Sequence, residues 1–78
     1  MRLTFFGRLR DAVGTHDIDC SPPANIVDSE SLRQWISEQY PALLDTKVRI
    51  ALDNVLISGP APIAEVDEIA FLPPVSGG

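Results

Sequence analysis

Hydrophobic and polar residues alternate at the start of the chain. In "RLTFF", Leu3 and Phe5 fall on one face while Thr4 and Phe6 fall on the other, the period-two pattern of a half-buried strand. "GRLRDAVG" follows between Gly7 and Gly14, long enough for one or two helical turns within a broad hairpin connection. Thr15 to Cys20 alternates again, with His16, Ile18 and Cys20 opposite Thr15, Asp17 and Asp19. "SPPAN" ends that run, because proline cannot donate to a sheet ladder. The period then changes. In "VDSESLRQWISEQYP", Leu32, Trp35, Ile36, Tyr40 and Leu43 recur at helical spacing. Asp28 or Ser29 supplies the N-cap, Glu30 suits the positive helix start, and Pro41 stops the helix near Tyr40. Trp35 is expected to pack this helix onto a sheet.

Alternation returns in "VRIALD", which places Val48, Ile50 and Leu52 on one face. Asp53 and Asn54 supply a turn, "VLI" a short strand, and "SGPAP" a loop. The last strand is "DEIAFL", with Ile69 and Phe71 inward and Ala70 and Leu72 outward. One apolar helical face must then cover one face of a mixed sheet. The first two strands pair as an antiparallel hairpin, and the helix serves as a right-handed crossover that brings a later strand parallel to the first. This α+β order is that of the β-grasp, or ubiquitin-like, fold. Residues 1–72 form the β-grasp domain, and residues 73–78 form an extended, flexible C-terminal tail.

Composition narrows the partners. At 78 residues the chain makes one domain, and one this small buries only about 60–65% of its unfolded surface. Six Lys and Arg stand against 11 Asp and Glu, a net charge of −5. Nucleic acid and anionic membrane call for a basic surface, so neither is expected as a partner, whereas a basic protein surface is. Cys20 is the single cysteine, so no internal disulfide can form, which suits a reducing compartment. It falls on an alternating stretch as a core-facing strand residue. The opening "MRLTFFGRLR" holds no apolar leader core, and no run is long enough to span a bilayer. A soluble, cytoplasmic protein is expected.

Little in the chain suggests a catalytic centre. There is one His and one Cys, with no metal-ligand spacing, so neither a bound metal nor a bound cofactor is expected. "GRLRDAVG" lacks the spaced glycines and Lys-Ser/Thr ending that cradle phosphate. Asp67 and Glu68 are strand neighbours that point to opposite faces and cannot act as a facing pair. The unusual reactive group is the α-carboxylate of Gly78. Pro73 and Pro74 favour an extended conformation, so "PPVSGG" leaves the sheet in a definite direction. Its reach is about 20 Å from the domain. Val75 and Ser76 space the tip, and Gly77 and Gly78, lacking Cβ atoms, pass a channel too narrow for other residues. If the first and last strands are parallel neighbours, Phe6, Ala70 and Leu72 form an apolar patch beside the root of the tail, flanked by Arg8 and Arg10. The alternative is that Phe6 tucks beneath the "GRLRDAVG" segment.

"FFGRLRDAVG", the "SLRQWI" helix, "DEIAFLPPV" and the Gly77-Gly78 ending together resemble the MoaD/ThiS group of ubiquitin-like sulfur carriers, over the whole chain. The opening motif is closer to the molybdopterin branch than to the thiamine branch. Leu72 stands where many relatives have a second phenylalanine, and Val66 replaces a common turn glycine. The resemblance implies a carrier rather than an enzyme acting by itself. It implies adenylation of Gly78 by an ATP-using, MoeB-like adenylyltransferase/sulfurtransferase, then conversion to a thiocarboxylate. It further implies insertion of the tail into a MoaE-like large subunit of molybdopterin synthase, where sulfur passes to cyclic pyranopterin monophosphate. A related carrier for thiamine, tRNA thiolation or cysteine synthesis, a protein modifier, and a β-grasp binding module with an inert tail are the alternatives.

Overall fold

Five strands and two helices follow the order that the patterning predicts, in a computed structural model that describes residues 1–74. The elements are β1 (Arg2–Phe5), α1 (Leu9–Val13), β2 (Asp17–Asp19), α2 (Ser29–Ser37), β3 (Arg49–Leu52), β4 (Val55–Ile57) and β5 (Glu68–Leu72). They form one mixed sheet in the order β2-β1-β5-β3-β4. β1 is antiparallel to β2 and parallel to β5, with Phe5 opposite Phe71. β3 is antiparallel to both β4 and β5. This is the β-grasp fold.

The inner face of the sheet carries the core. Leu3, Phe5, Ile69 and Phe71 are fully buried there, and Leu32 and Ile36 of α2 pack onto the same cluster. The rings of Phe5 and Phe71, cross-strand partners, stack with centroids 5.6 Å apart. Val48, Ile50 and Leu52 extend the cluster along β3, as their alternation predicts. Burial of this kind supplies most of the driving force, at about 25 cal/mol per Å² of apolar surface.

Local chemistry sets the element ends. Asp28 is the N-cap of α2, and its side chain accepts the Ser31 backbone N–H at 2.7 Å. That N–H holds the Asp28 carboxyl below the usual carboxylate range. Gly14 caps α1 in the left-handed region, with φ of 93°. Asp53 and Asn54, at φ of 46° and 71°, form the tight turn between β3 and β4. The carboxylate of Asp53 also accepts the backbone N–H groups of Asp67 and Glu68, which fixes the start of β5.

Three details differ from the patterning or refine it. α2 ends at Ser37, not near Tyr40; Gln39 and Tyr40 N–H both donate to the Ile36 carbonyl, and Tyr40, before Pro41, has left the helical region at φ −129° and ψ 81°. A 3-10 turn then runs Pro41–Leu44 and buries Leu43. Trp35 packs against the core as expected but is only partly buried, whereas Leu32 and Ile36 of the same helix are buried in it. Finally, the loop after β4 is pinned: Ala61 N donates to the buried Ser29 hydroxyl at 3.0 Å, and Ile63 enters the core.

Candidate functional site

The parallel pairing of β1 with β5 determines what lies beside the root of the tail. Phe71 and Leu72 end β5 next to Phe5 and Phe6, and the Phe6 N–H donates to the Phe71 carbonyl at 3.1 Å. Alternation turns Phe6 and Leu72 to the outer face. Phe6 is 39% exposed there and is not tucked beneath α1, while Leu72 is half-buried. Ala70, at 9% exposure, floors the patch more than it projects from it. Phe6, Ala70 and Leu72 are therefore brought together, as the pattern predicts.

The two arginines part company. The Arg10 Nε–H donates to the Phe5 carbonyl at 3.0 Å, and its guanidinium lies 5.8 Å from the centre of the Phe6 ring. Arg10 thus steadies Phe6 and places a cation on the margin of the patch. Arg8 points elsewhere. It lines a groove of about 290 Å³ with Leu9, Ala12, Pro41 and Ala42, and Pro74 borders the same groove. Pro73 and Pro74 are both half-buried against the domain. Val75, Ser76, Gly77 and Gly78 lie outside the described residues.

The register adds residues that strand-by-strand patterning misses. Leu72 faces Arg49 across β3, Ala70 faces Ala51, and Ala51 faces Leu56 on β4. The outer apolar strip thus continues from Phe6 through Leu72, Ala70 and Ala51 to Leu56, which is 53% exposed. Arg49 alternates with Val48 and Ile50 in the sequence, but only the strand order brings it and Leu56 to the patch. At the opposite end of the same face the charges are mixed, with carboxylates outnumbering the one arginine, Arg2. Asp17 pairs with Arg2 at 3.3 Å, and Glu68 accepts the Thr4 hydroxyl at 2.9 Å. Arg10 and Arg49 lie near the tail root, while Asp17, Asp19 and Glu68 lie toward the other end with Arg2 among them.

The described residues include no group of three or more His, Cys, Asp or Glu that could hold a metal ion, and no helix long and apolar enough to cross a membrane. Burial pushes the Cys20 thiol up; Asp19 adds to this and the N-terminal ammonium opposes it. Cys20 is therefore a poor thiolate at neutral pH. His16 is exposed near the β2 edge, on the far side of β1 from the tail root. What the site offers is an apolar face joined to a stiff, proline-based exit.

Residues 3–78 match the model of a family described as the ThiS family. The chain is 35% identical over 82 residues to the molybdopterin synthase sulfur carrier subunit of Escherichia coli (strain K12), covering 100% of this chain and 99% of that protein. It is also 35% identical over 83 residues to the molybdopterin synthase sulfur carrier subunit of Caenorhabditis briggsae, covering 100% of this chain and 96% of that protein. Among solved structures it is similar to the small archaeal modifier protein 1 of Methanosarcina acetivorans. The TM-score is 0.75 at 25% identity, covering 99% of this chain and 94% of that one.

Proposed function

The chain belongs to the ThiS family, and on that premise we propose that it is the sulfur carrier subunit of molybdopterin synthase. The observation that carries this reading is the whole-length similarity to molybdopterin synthase sulfur carrier subunits, at 35% identity. The apolar face beside the tail root supports it, since a carrier must dock before it can deliver.

The chemistry follows from the poor reactivity of a carboxylate. The Gly78 carboxylate attacks the α-phosphorus of ATP on a MoeB-like activating partner, expelling pyrophosphate and leaving an acyl adenylate. A persulfide sulfur then attacks the acyl carbon and AMP departs. A second thiol cleaves the resulting acyl disulfide, leaving a thiocarboxylate and a protein disulfide. Its sulfur is a good nucleophile, for the same reason that thiolates are. Within a MoaE-like large subunit the sulfur bonds to a carbon of cyclic pyranopterin monophosphate as a C–O bond at that carbon breaks and its oxygen leaves, and water then hydrolyses the acyl–sulfur bond, which returns the carboxylate and leaves the sulfur on the substrate. A dithiolene needs two sulfurs, so two loaded carriers serve each product.

The roles divide by residue. Gly78 carries the sulfur, Gly77 gives it passage, Ser76 and Val75 space it, and Pro73 and Pro74 form the base of the tail. Phe6, Ala70 and Leu72 dock, with Arg10 and Arg8 on either side of the root. The small subunit is a sulfur donor and not an enzyme by itself. It holds no cofactor of its own, uses ATP only through its activating partner, and works in the cytoplasm. Its net charge of −5 favours protein partners over nucleic acid or membrane.

Deletion of Gly78 tests this reading. The shortened protein should melt as the wild type does, yet form no thiocarboxylate with the activating enzyme, ATP and a sulfur donor, as followed by intact mass. Gly77→Val should transfer almost as poorly, because a β-branched side chain fills a passage sized for glycine. A chain lacking Gly78 that still produced molybdopterin would refute the sulfur-carrier assignment.

A further inference from the structure

We propose that one flank of α2 holds a site for an arginine side chain of a protein partner, formed by Trp35, Glu38 and the loop between β2 and α2. The site stands apart from the sulfur-carrier reading, because none of its residues belongs to the outer face or the tail.

Asn25 and Ile26 of that loop, with Ser31, Gln34, Trp35 and Glu38 of the helix, line a cavity of about 330 Å³. The four helix residues recur at i, i+3, i+4 and i+7, so they share one flank. Trp35 and Ile26 are half-buried against the core and give the cavity an apolar side. Its charge is one-sided. Glu38 is the C-cap of α2, where the carbonyls of the last turn already carry partial negative charge. A carboxylate at that end is unfavourable unless a cation accompanies it.

The chain supplies no such cation. The last turn of α2 holds no basic residue, and Glu38 has no ion pair among the described residues. Arg33, the one cation of the helix, is committed elsewhere, donating to the Asp45 and Val48 carbonyls at 3.1 and 3.0 Å. Among the described residues the cation that lies over an aromatic ring is Arg10, on Phe6 and not on Trp35. The compensating charge must therefore come from another molecule. Arginine suits the cavity better than lysine. Its planar guanidinium stacks on an indole, and its methylene stem lies along apolar side chains such as Ile26. Asn25 and Gln34 offer side-chain carbonyls to the remaining N–H groups. The net charge of −5 draws basic segments toward the chain. Because α2 covers the inner face, a partner held here leaves the outer face free.

Trp35 is the single tryptophan, so 5-fluorotryptophan labelling of the full chain places one fluorine resonance at the site. The labelled chain is titrated at low salt with a capped Gly-Leu-Arg-Leu-Gly peptide. A second peptide carries citrulline, the neutral isostere, in place of arginine. The arginine peptide should shift the resonance saturably, with a Kd of about 10 mM or tighter. The citrulline peptide should bind at least about fivefold more weakly. Glu38→Gln should weaken the arginine peptide about threefold or more. Glu65→Gln, which removes the same charge from the loop before β5, should not. Glu38→Gln should also raise the melting temperature of the free chain by about 1–4 °C, since α2 bears that charge at a cost. A shift without saturation, equal binding of the two peptides, or equal effects of Glu38→Gln and Glu65→Gln would each overturn the proposal. So would a Glu38→Gln chain that melts below the wild type, because Glu38 would then have its partner within the chain.

Discussion

Leu3 and Phe5 point inward and are fully buried, whereas Thr4 and Phe6, one residue along, turn outward toward solvent. The same contrast runs along β5, where Ile69 and Phe71 face the core and Ala70 and Leu72 face out. The inner face is uniformly apolar and closed by α2. The outer face is varied, with Arg2 among carboxylates at one end, an apolar strip in the middle, and Arg10 and Arg49 near the tail. One strand pair thus serves two purposes that need not interfere, because a pleated sheet sends successive side chains to opposite sides. The inner residues hold the fold together, and the outer ones are free to suit a partner.

The strongest test of this division strikes the inner face. Phe71→Ala should cost about 3–5 kcal/mol, the usual range for truncating a buried phenylalanine. That would consume most of the stability of a domain this small. Urea unfolding checks it, and a loss below 1 kcal/mol would mean that the Phe5–Phe71 stack contributes little. On the outer face the effect should move from stability to binding. Phe6→Asp should melt close to wild type yet bind the large subunit or the activating enzyme about thirtyfold or more weakly, as a central contact would. Unchanged affinity for both partners would take Phe6 out of the docking surface. A smaller loss of stability belongs to the rim of the core. Trp35→Ala should cost less than Phe71→Ala, about 2–3 kcal/mol, since Trp35 packs against the core but is only partly buried. A loss equal to that of Phe71→Ala would mean that Trp35 matters as much as the inner face.

The fold was largely legible because each period was clean. The inward phase of Leu3, Phe5, Ile50, Ile69 and Phe71 could be assigned from alternation alone, and the end of each run was marked by Pro, Gly or Asn. Trp35 shows the limit of such reasoning. Helical spacing places it on the apolar side with Leu32 and Ile36, but it cannot tell the centre of that stripe from its edge. The early end of α2 is similar in kind. Pro41 limits the helix, yet the 3-10 turn that brings Leu43 into the core is decided by packing. In the site, the neighbourhood of Phe6 and Leu72 followed from assuming one parallel pair. Arg49 and Leu56 needed the full strand order, which no local pattern contains.

β5 lies at the centre of the sheet, and its pairs with β1 run from Arg2–Glu68 to Phe5–Phe71, joining opposite ends of the chain. In kinetic terms these contacts have high contact order and form only after a long loop has closed. β5 is also the last strand to be synthesised. Phe6 and Leu72 become neighbours only when it takes its place. A chain that has not finished folding can therefore expose a tail, but not the face beside it. Any partner that requires both is reading the completion of folding before it commits nucleotide or sulfur to the terminus.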